Sequence, residues 1–502
     1  MSKSANTYGQ ILKSSSIIGG AQGINYLIAM VRTKLVAVLL GPSGVGLVGL
    51  YVSATELVGT IAGLGIGTSG VREVAEAHGG RDVEHVARTV KTLRRACWAT
   101  GIVGWILAAA LSYPLSVYTF GSGERAWAVA ILGITILIAA VSSGQSALIQ
   151  GTRRIGDLAR MGMLGAVAGT IIAVGLYGWL GESGIVPVLI VTAAVNLSFS
   201  WWFARKIPLA TVSLTWKETL GNSKQLVGLG LAFMYGALLA AILGLTIRSV
   251  IVRQLGLDAN GIYQAAWAIS GMFAGFILNA MGTDYYPRLT AVAHDNEQVN
   301  RLVNEQIEIG ILLALPGLLG TLAFAPWLMR VFYSAKFLPA AGLLPWLALG
   351  IFGQVITFPL VFIQRAKGKV GWMIFSQTHY YLLNLVLALF LIRAYGVVAA
   401  AWAYALVNYI HGFVVIGIAR RLSNFAWTPH SARVAFSAGG LICLGFTSQL
   451  LARGFEGFAI GGLLTSAASL FSLRGIASRL GLSHRVVQMV LKFPGGRFAC
   501  GL

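Results

Sequence analysis

Residues 31–51, VRTKLVAVLLGPSGVGLVGLY, resemble residues 247–267, IRSVIVRQLGLDANGIYQAAW. Both stretches read as a basic residue, an apolar run, a short turn, and then a glycine at the start of a second apolar run. The matched pairs are Arg32/Arg248, Gly41/Gly256, Gly46/Gly261, Arg72/Arg288 and Val83/Val299, and their spacing slips by a single position at the two glycine pairs. Self-similarity at a nearly fixed offset indicates an internal repeat, so the sequence predicts two related lobes.

The composition excludes a soluble globular domain. Of the 502 residues, 57% are hydrophobic and 11% are charged, and the mean hydropathy is +0.77. A soluble domain carries about 25% charged residues, because its surface faces water. We therefore predict an all-α polytopic membrane protein with about fourteen transmembrane helices, or twelve as the alternative count. These helices are expected to form two six-helix pseudo-symmetric lobes plus a C-terminal helix pair.

Polar segments divide the apolar runs into four parts. The predicted N-terminal lobe covers residues 1–204 and the predicted C-terminal lobe covers residues 226–420. Residues 205–225 read as a cytoplasmic linker, and residues 421–502 hold the extra helix pair and a basic tail. Since six spans separate the copies of the repeat, both lobes should have one orientation and be related by an axis along the membrane normal.

The loops between spans differ in charge. One alternating set of loops and tails holds 28 of the 37 lysine and arginine residues, and the opposite set holds five. Because lysine and arginine concentrate in cytoplasmic loops, this split predicts that both termini are cytoplasmic. In two of the basic loops, 72–95 and 288–308, spaced apolar residues among the charges predict a short amphipathic helix.

Charges inside apolar runs are costly, so each is a candidate functional residue. Four basic residues lie in the first helix of a lobe, namely Arg32, Lys34, Arg248 and Arg253. Arg32 and Arg248 match in the repeat and would face one shared cavity, where planar guanidinium groups bind diphosphate oxygens. The alternative is that such side chains extend toward the outer membrane surface, and for Lys34 and Arg253 neither alternative is preferred.

Three titratable residues inside spans are candidates for ion or proton coupling. Glu56 is the only acid in the middle of a predicted span, where it would take up a proton or sodium ion, or form a structural ion pair. His379 and His411 titrate near neutral pH, although a hydrogen-bonded buried histidine is the more common case. The candidate cavity-lining residues are Asn25, Gln145, Asn279 and Asn384. For these amides, hydrogen bonding between helices is the plainer alternative.

Nothing in the sequence predicts a cofactor, a metal site or catalysis. The cysteines Cys97, Cys443 and Cys500 are far apart and lack metal-ligand spacing. A GxGxxG pattern at residues 65–70 ends a predicted span and follows no strand, so it indicates helix packing rather than a dinucleotide site. Because no nucleotide motif is found, transport is expected to use an ion gradient or the membrane potential.

Three stretches carry a family resemblance: ILKSSSIIGGAQGINYLIAMVRTKLVAVLLGP (11–42), GVGLVGLY (44–51) and GLGIGTSGVREVAE (63–76). They resemble the Wzx-type polysaccharide transporters. These are the O-antigen and enterobacterial-common-antigen translocases of the multidrug/oligosaccharidyl-lipid/polysaccharide exporter superfamily. The similarity is strongest over residues 10–95 and extends to about residue 420.

The resemblance implies a V-shaped pair of six-helix lobes around a cationic cavity in the bacterial inner membrane. It implies transport of an undecaprenyl-diphosphate-linked oligosaccharide, such as an O-antigen repeat unit, from the cytoplasmic to the periplasmic leaflet. Candidate partners are a polysaccharide polymerase and a chain-length regulator, with no nucleic acid. Arg32 stands where the related lipid II flippases have a cavity arginine, but Thr33 stands where they have an acidic residue.

Two other functions remain open at the level of sequence. A multidrug-type ion-coupled antiporter would share the fold, and its cavity should hold acids rather than several arginines. A membrane glycan polymerase or ligase should carry a substantial periplasmic loop with functional charges, whereas the corresponding loops here look short.

Overall fold

The computed structural model describes residues 2–80, 82–451, 455–480 and 488. In this part of the chain the regular structure is helical, without strands. The helices are α1 (Ser2–Gly63), α2 (Ile66–Gly79), α3 (Val83–Ala110), α4 (Ser112–Phe120), α5 (Ala126–Gly151), α6 (Ile155–Leu180), α7 (Ile185–Ala204), α8 (Trp216–Ala291), α9 (Asn296–Phe332), α10 (Leu344–Ala366), α11 (Val370–Tyr395), α12 (Val398–Ser423), α13 (Pro429–Leu451) and α14 (Phe455–Leu480). Short 3₁₀ turns lie at Gly181–Gly184 and Ala335–Gly342.

The helices confirm the predicted all-α membrane class. Within the described residues, nine segments are long and apolar enough to cross a membrane, or ten if the bent pair α3–α4 is one span. Three of the nine, Gly23–Gly63, Ile155–Ala204 and Leu226–Met272, are 41 to 50 residues long and contain a break. One crossing needs about 20 residues, so each of these is long enough for two. The fourteen crossings therefore stay a prediction.

A kink at the same place in both repeats separates the first membrane helix from the second. α1 is broken at Gly41 (φ 66°) and α8 is broken at Gly256 (φ 88°). Glycine adopts a positive φ at little cost, whereas other residues are strained there. These two glycines are a pair that the sequence repeat matches, so the repeat is visible in the backbone.

Later breaks recur in the same order. At spacings close to that of the two kinks, the matched positions are Leu111/Phe324, Arg153/Gly368 and Gly181/Gly396. The first pair interrupts a membrane helix, the second forms the turn after α5 or α10, and the third ends α6 or α11. α6 and α11 both have 26 residues. Six helical segments in one order thus occur twice along the chain.

The N-caps of α3 and α9 correct one part of the sequence alignment. Asp82 and Asp295 each accept hydrogen bonds from the backbone amides two and three residues further on, which a helix start otherwise leaves free. Equivalent caps place Val83 opposite Asn296, so the predicted match of Val83 with Val299 is wrong by three positions. Hydrogen bonds from Gln298 lower the pKa of Asp295, so this cap's contribution to stability is present at neutral pH. It is lost as the pH falls through the lowered pKa.

The two charged loops do not form separate short helices, so that prediction is wrong. In the first loop α2 ends at Gly79 and α3 begins at Val83, and in the second loop α8 ends at Ala291 and α9 begins at Asn296. The aspartate caps start each long helix inside the charged stretch. The spaced apolar residues of the first loop therefore belong to the end of the 14-residue helix α2 and to the start of α3, and those of the second loop belong to the end of α8 and the start of α9.

The predicted linker is half strap and half helix. Residues 205–215 are not helical, and α8 takes over from Trp216. Lys91 Nζ donates to the carbonyl of Val212 at 2.5 Å, and Arg95 Nη1 donates to the carbonyl of Leu214 at 3.0 Å. Some of the basic residues of the loop 70–96 therefore hold the strap on the surface of α3.

Packing divides the chain into two compact units, Met1–Gly261 and Ile262–Leu502. In the first unit, buried side chains form one cluster that includes Val74, Leu93 and Leu148 and another that includes Leu47, Leu132 and Tyr177. In the second unit, α9, α10 and α12 are joined by extensive contacts and carry the buried side chains Leu315, Ile351 and Val407. This division follows packing rather than the repeat, so the lobes 1–204 and 226–420 stay a prediction.

Candidate functional site

A cavity of about 920 Å³ lies inside the first unit. Its walls come from the second half of α1, from α2, α3 and α5, and from the early part of α8. The polar residues that line it are Thr55, Glu56, Thr60, Thr68, Arg72, Thr100, Thr135, Ser143, Ser146 and Gln150. A polar cavity among apolar helices gives a hydrophilic substrate a place inside the membrane region.

Glu56 is the acid and Arg72 is the cation among the described residues of this wall. Both side chains are exposed, so each is accessible from the cavity. Thr55 donates its hydroxyl to the carbonyl of Tyr51, 2.9 Å away, and Ser53 is buried. Glu56 therefore presents its carboxylate to the cavity with few competing polar groups on its own helix.

None of the four basic candidates of the first helices lines this cavity. Arg32 lies nine residues before the kink at Gly41, which is about 14 Å along the helix axis. Arg248 lies eight residues before the kink at Gly256, or about 12 Å. Both arginines therefore lie within their helices, two turns or more before the kink, rather than at a helix end.

Arg32 and Arg248 are not equivalent when both are counted from the kinks. Aligning Gly41 with Gly256 pairs Arg248 with Thr33 rather than with Arg32. One residue turns a helix by about 100°, so the two guanidinium groups leave different faces of their helices. Both side chains are half-buried. Arg32 lies close enough to the phenol of Tyr177 for an electrostatic interaction. Arg248 Nη1 donates a hydrogen bond to the carbonyl of Gly244 at 2.9 Å.

The other two basic residues differ in their surroundings. Arg253 is exposed, only three residues from the kink at Gly256, and its Nε lies 4.0 Å from where a Cβ of Gly121 would be. This placement fits a side chain that extends toward the membrane surface. Lys34 is half-buried and has an interaction partner.

The structure brings the two histidines together in the second unit. His379 Nδ1 and His411 Nδ1 are 3.4 Å apart, with their rings stacked at a centroid distance of 5.7 Å. Tyr380 packs edge-on against His411, whose residue surface is 6% exposed. At this distance one imidazole N–H can donate to the ring nitrogen of the other, so the two residues form one polar pair between α11 and α12.

The amide candidates have different neighbours. Asn25 Oδ1 is buried without a hydrogen bond and lies beside α6, where its Nδ2 is 3.5 Å from the Cβ position of Gly162. Asn384 is 2% exposed and its Oδ1 also lacks a partner. Gln145 does not line the cavity that holds Glu56, but accepts a hydrogen bond from Arg94 in a separate groove. The side chain of Asn279 lies outside the described part of the chain.

Sequence reasoning missed a buried acid in the second unit. The Glu308 side chain on α9 is 5% exposed and forms an ion pair with Arg479 of α14, and His430 Nε2 of α13 lies 3.8 Å from Glu308 Oε2. Ser431 also donates to Glu308, at 2.8 Å. In the sequence, the signal for Glu308 was an acidic residue near the start of an apolar run. The cluster fixes the extra C-terminal helix pair to α9.

We expect Arg479→Ala to lower the free energy of unfolding by about 2 kcal/mol, because it removes a charge-assisted hydrogen bond from a buried carboxylate. The value is less than for a wholly unpaired charge, since His430 and Ser431 remain. Thermal unfolding in detergent measures the change. Arg420→Ala, at an exposed end of α12, is the control and should unfold like the native chain. Equal melting of both variants would contradict a stabilising role for this cluster.

Known proteins with a sequence related to this chain include the following two. The chain is 23% identical over 397 residues to the lipid III flippase of Escherichia coli (strain K12), which covers 77% of this chain and 92% of that protein. It is 24% identical over 349 residues to the succinoglycan biosynthesis transport protein ExoT of Rhizobium meliloti (strain 1021), covering 67% and 65%.

Solved structures show the same fold. The lipid II flippase MurJ in an inward closed conformation aligns with a TM-score of 0.67 and 13% identity, covering 93% of this chain and 99% of that chain. An inward-facing multidrug resistance MATE family transporter of the MOP superfamily aligns with a TM-score of 0.63 and 18% identity, covering 80% and 95%.

The repeated helix breaks and the cavity among apolar helices belong to a fold that this chain shares with membrane transporters of known structure. A family model described as polysaccharide biosynthesis protein matches residues 35–342, which is more than half of the sequence. The chain belongs to this family. The predicted resemblance to polysaccharide transporters is confirmed.

Proposed function

We propose that this protein flips an undecaprenyl-diphosphate-linked oligosaccharide, an O-antigen repeat unit or a similar surface glycan, from the cytoplasmic to the periplasmic leaflet. The cavity that holds Glu56, within a fold built from two matching sets of helices, is the observation that carries the proposal. The glycan-related names of the sequence relatives support the substrate class. The transport cycle would be one of alternating access.

In this mechanism Arg32 and Arg248 bind the diphosphate, with Lys34 and Arg253 as secondary contacts. A guanidinium binds phosphate oxygens in a bidentate manner. The position of both arginines inside apolar helices suits a headgroup that must cross the hydrocarbon core. The prenyl tail stays in lipid, because each CH₂ moved into water costs about 0.8 kcal/mol. The sugars occupy polar space such as the cavity beside Glu56.

The proposed site of action is the bacterial inner membrane, with both termini in the cytoplasm. The supporting observation is the 28-to-5 division of basic residues between the two sets of loops. Single cysteines in a cysteine-free background test this orientation. Labelling of a cysteine at position 215 from the periplasm of intact cells would contradict it. A polysaccharide polymerase and a chain-length regulator are the proposed protein partners, which crosslinking in cells would detect.

We infer that a proton or sodium ion drives the cycle through Glu56 or the His379–His411 pair. Glu56→Gln and His411→Gln keep the approximate size of each side chain but remove its titration. We expect either variant to reduce gradient-driven transport by about tenfold, a typical coupling free energy between two sites. Proteoliposomes with an imposed proton or sodium gradient measure the effect.

Glu76→Gln is the control for that experiment, because Glu76 is exposed on α2 and does not line the cavity. It should transport at the native rate under every gradient. Native transport that responds to neither ion gradient would overturn the coupling proposal while leaving the flippase proposal intact.

Reconstitution tests the flippase proposal directly. Proteoliposomes receive a fluorescent prenyl-diphosphate oligosaccharide, and a membrane-impermeant quencher reports the fraction in each leaflet. We expect the purified chain to equilibrate this lipid between leaflets and to leave a fluorescent phosphatidylcholine in place. Equal transfer of both lipids, or of neither, would overturn the proposal.

A multidrug-type ion-coupled antiporter is the second candidate function. Two observations favour it: Glu56 is the acid in the described cavity wall, and none of the first-helix arginines lines that cavity. Such an antiporter should accumulate a cationic dye in the same proteoliposomes when a proton gradient is imposed. Dye transport without lipid transfer would assign the protein to this alternative.

A further inference from the structure

A second groove, with a volume of about 1010 Å³, lies on another side of the first unit. α3, α5, α7 and the start of the strap form its walls, and it shares no lining residue with the cavity that holds Glu56. On α5, Gln145 faces the groove whereas Ser143, two residues away, faces the cavity. Residues two apart leave a helix on opposite sides, so the groove lies behind the cavity wall.

Arg94 supplies the groove with an incompletely satisfied cation. Its Nη2 donates to Gln145 Oε1 at 3.2 Å, while its Nε is buried and has no acceptor. Arg205 also lines the groove, and none of the described lining residues is acidic. Gln145 is a neutral acceptor and does not balance the charge of Arg94, so an anion that accepts from the guanidinium would be bound favourably.

Exposed tryptophans surround the same groove. Trp98, Trp201 and Trp202 are 51%, 54% and 39% exposed. The Arg205 guanidinium lies 4.9 Å from the centre of the Trp201 ring, and Lys206 Nζ lies 4.2 Å from that of Trp202. Tryptophan together with arginine and lysine at the end of a membrane helix is typical of the level of lipid headgroups.

The groove also has an apolar wall, which can contact hydrocarbon chains. Val141 and Leu197 line the groove together with the tryptophans. A ligand that matches this arrangement has a phosphate at the level of Arg94 and Arg205 and acyl chains along the helices. We propose that the groove is a binding site for an anionic phospholipid of the surrounding leaflet, separate from the transported substrate. On the proposed function, the sugars of the transported substrate occupy the other cavity, so this site would hold a resident lipid.

Lipid titration of the purified full chain tests this site. Native mass spectrometry counts bound phosphatidylglycerol and phosphatidylcholine at equal concentrations. We expect a preference of about tenfold for phosphatidylglycerol, as one charge-assisted contact gives. Arg94→Gln and Arg205→Gln should each remove most of this preference. Arg160→Gln, whose side chain is 70% exposed and outside the groove, should keep it.

Several results would overturn the proposal. Equal binding of both lipids would mean that the groove does not recognise charge, and equal loss in Arg160→Gln would indicate a diffuse basic surface. Displacement of bound phosphatidylglycerol by equimolar prenyl diphosphate would instead make the groove an entry site for the substrate. If Arg94→Gln does not fold, Arg205→Gln decides, because Arg205 is exposed on the strap. None of these readouts requires flipping, so they stay distinct from a failure of the proposed function.

Discussion

Arg32→Ala and Arg248→Ala are each expected to reduce flipping of a prenyl-diphosphate oligosaccharide by about tenfold to a hundredfold. This magnitude follows from the loss of one charge-assisted hydrogen bond to the diphosphate, which contributes about 1.5–3 kcal/mol. Protein abundance should stay near normal, since both side chains are only half-buried and their removal leaves no large cavity in the packed core. The fluorescent lipid assay in proteoliposomes gives the rate, and quantitative blotting of membranes gives the abundance.

Variants of two other arginines, in different surroundings, are the comparison for this experiment. Arg253→Ala should have a smaller effect than either Arg32→Ala or Arg248→Ala, because Arg253 is exposed near the end of its helix and is proposed only as a secondary contact. Arg125→Ala should also be nearly silent, since its guanidinium lies 5.1 Å over the ring of Phe120 in a short connection. Arg32→Lys should restore part of the rate, because lysine keeps the charge but loses the bidentate geometry.

The two arginines lie at different distances from their kinks, and this difference gives a further expected result. Counted from the kinks, Arg248 corresponds to Thr33, so the arginines are not a symmetric pair. We therefore expect unequal losses from the two alanine variants, and a double variant that loses more than either alone. Normal transport by both single variants would refute a cationic diphosphate site. Disappearance of both proteins from the membrane would instead show that the arginines are structural.

Much of the fold could be predicted from the sequence because its strongest signals are local. Apolar runs set the membrane helices, and glycines at matched positions set the kinks at Gly41 and Gly256. The alignment failed where loop length changes. The spacing between Asp82 and Asp295, the caps of α3 and α9, is shorter than the spacing between the two kink glycines. One fixed offset between the repeats therefore does not pair the two caps. Capping needs only one oxygen acceptor at the right place, so it leaves little trace in sequence similarity.

The candidate site was less predictable, because a run of apolar residues does not reveal which helix face a polar side chain occupies. Glu56 lines a cavity, but Gln145 lies in another groove. His379 and His411 were separate candidates, and only the packing of α11 against α12 makes them a pair. Glu308 was missed because its partners, Arg479 and His430, are distant from it in the chain.

Gly261→Ala is expected to lower the free energy of unfolding by about 3 kcal/mol or more. A Cβ at this position would overlap the carbonyl oxygen of Pro42, and a Cβ at Gly46 would overlap that of Leu257. Both obstacles are backbone atoms, which cannot rotate away as a side chain can. Asn260 Nδ2 also donates to the carbonyl of Gly46 at 2.8 Å, so separating the helices breaks a buried hydrogen bond.

Gly271→Ala is the matched control, because nothing lies within 4 Å of its Cβ position on the same helix. Alanine is the better helix former by about 1 kcal/mol, so the control should melt at the native temperature or slightly above it. Thermal unfolding in detergent and abundance in membranes separate the two variants. Gly46 and Gly261 each lie five residues after the kink glycine of their own repeat, so the contact joins the same position of both repeats. If Gly261→Ala folds normally but transports at a different rate, the contact opens during the cycle and is a gate. If it matches the control in both measurements, the close approach of these two helices does not exist in the membrane.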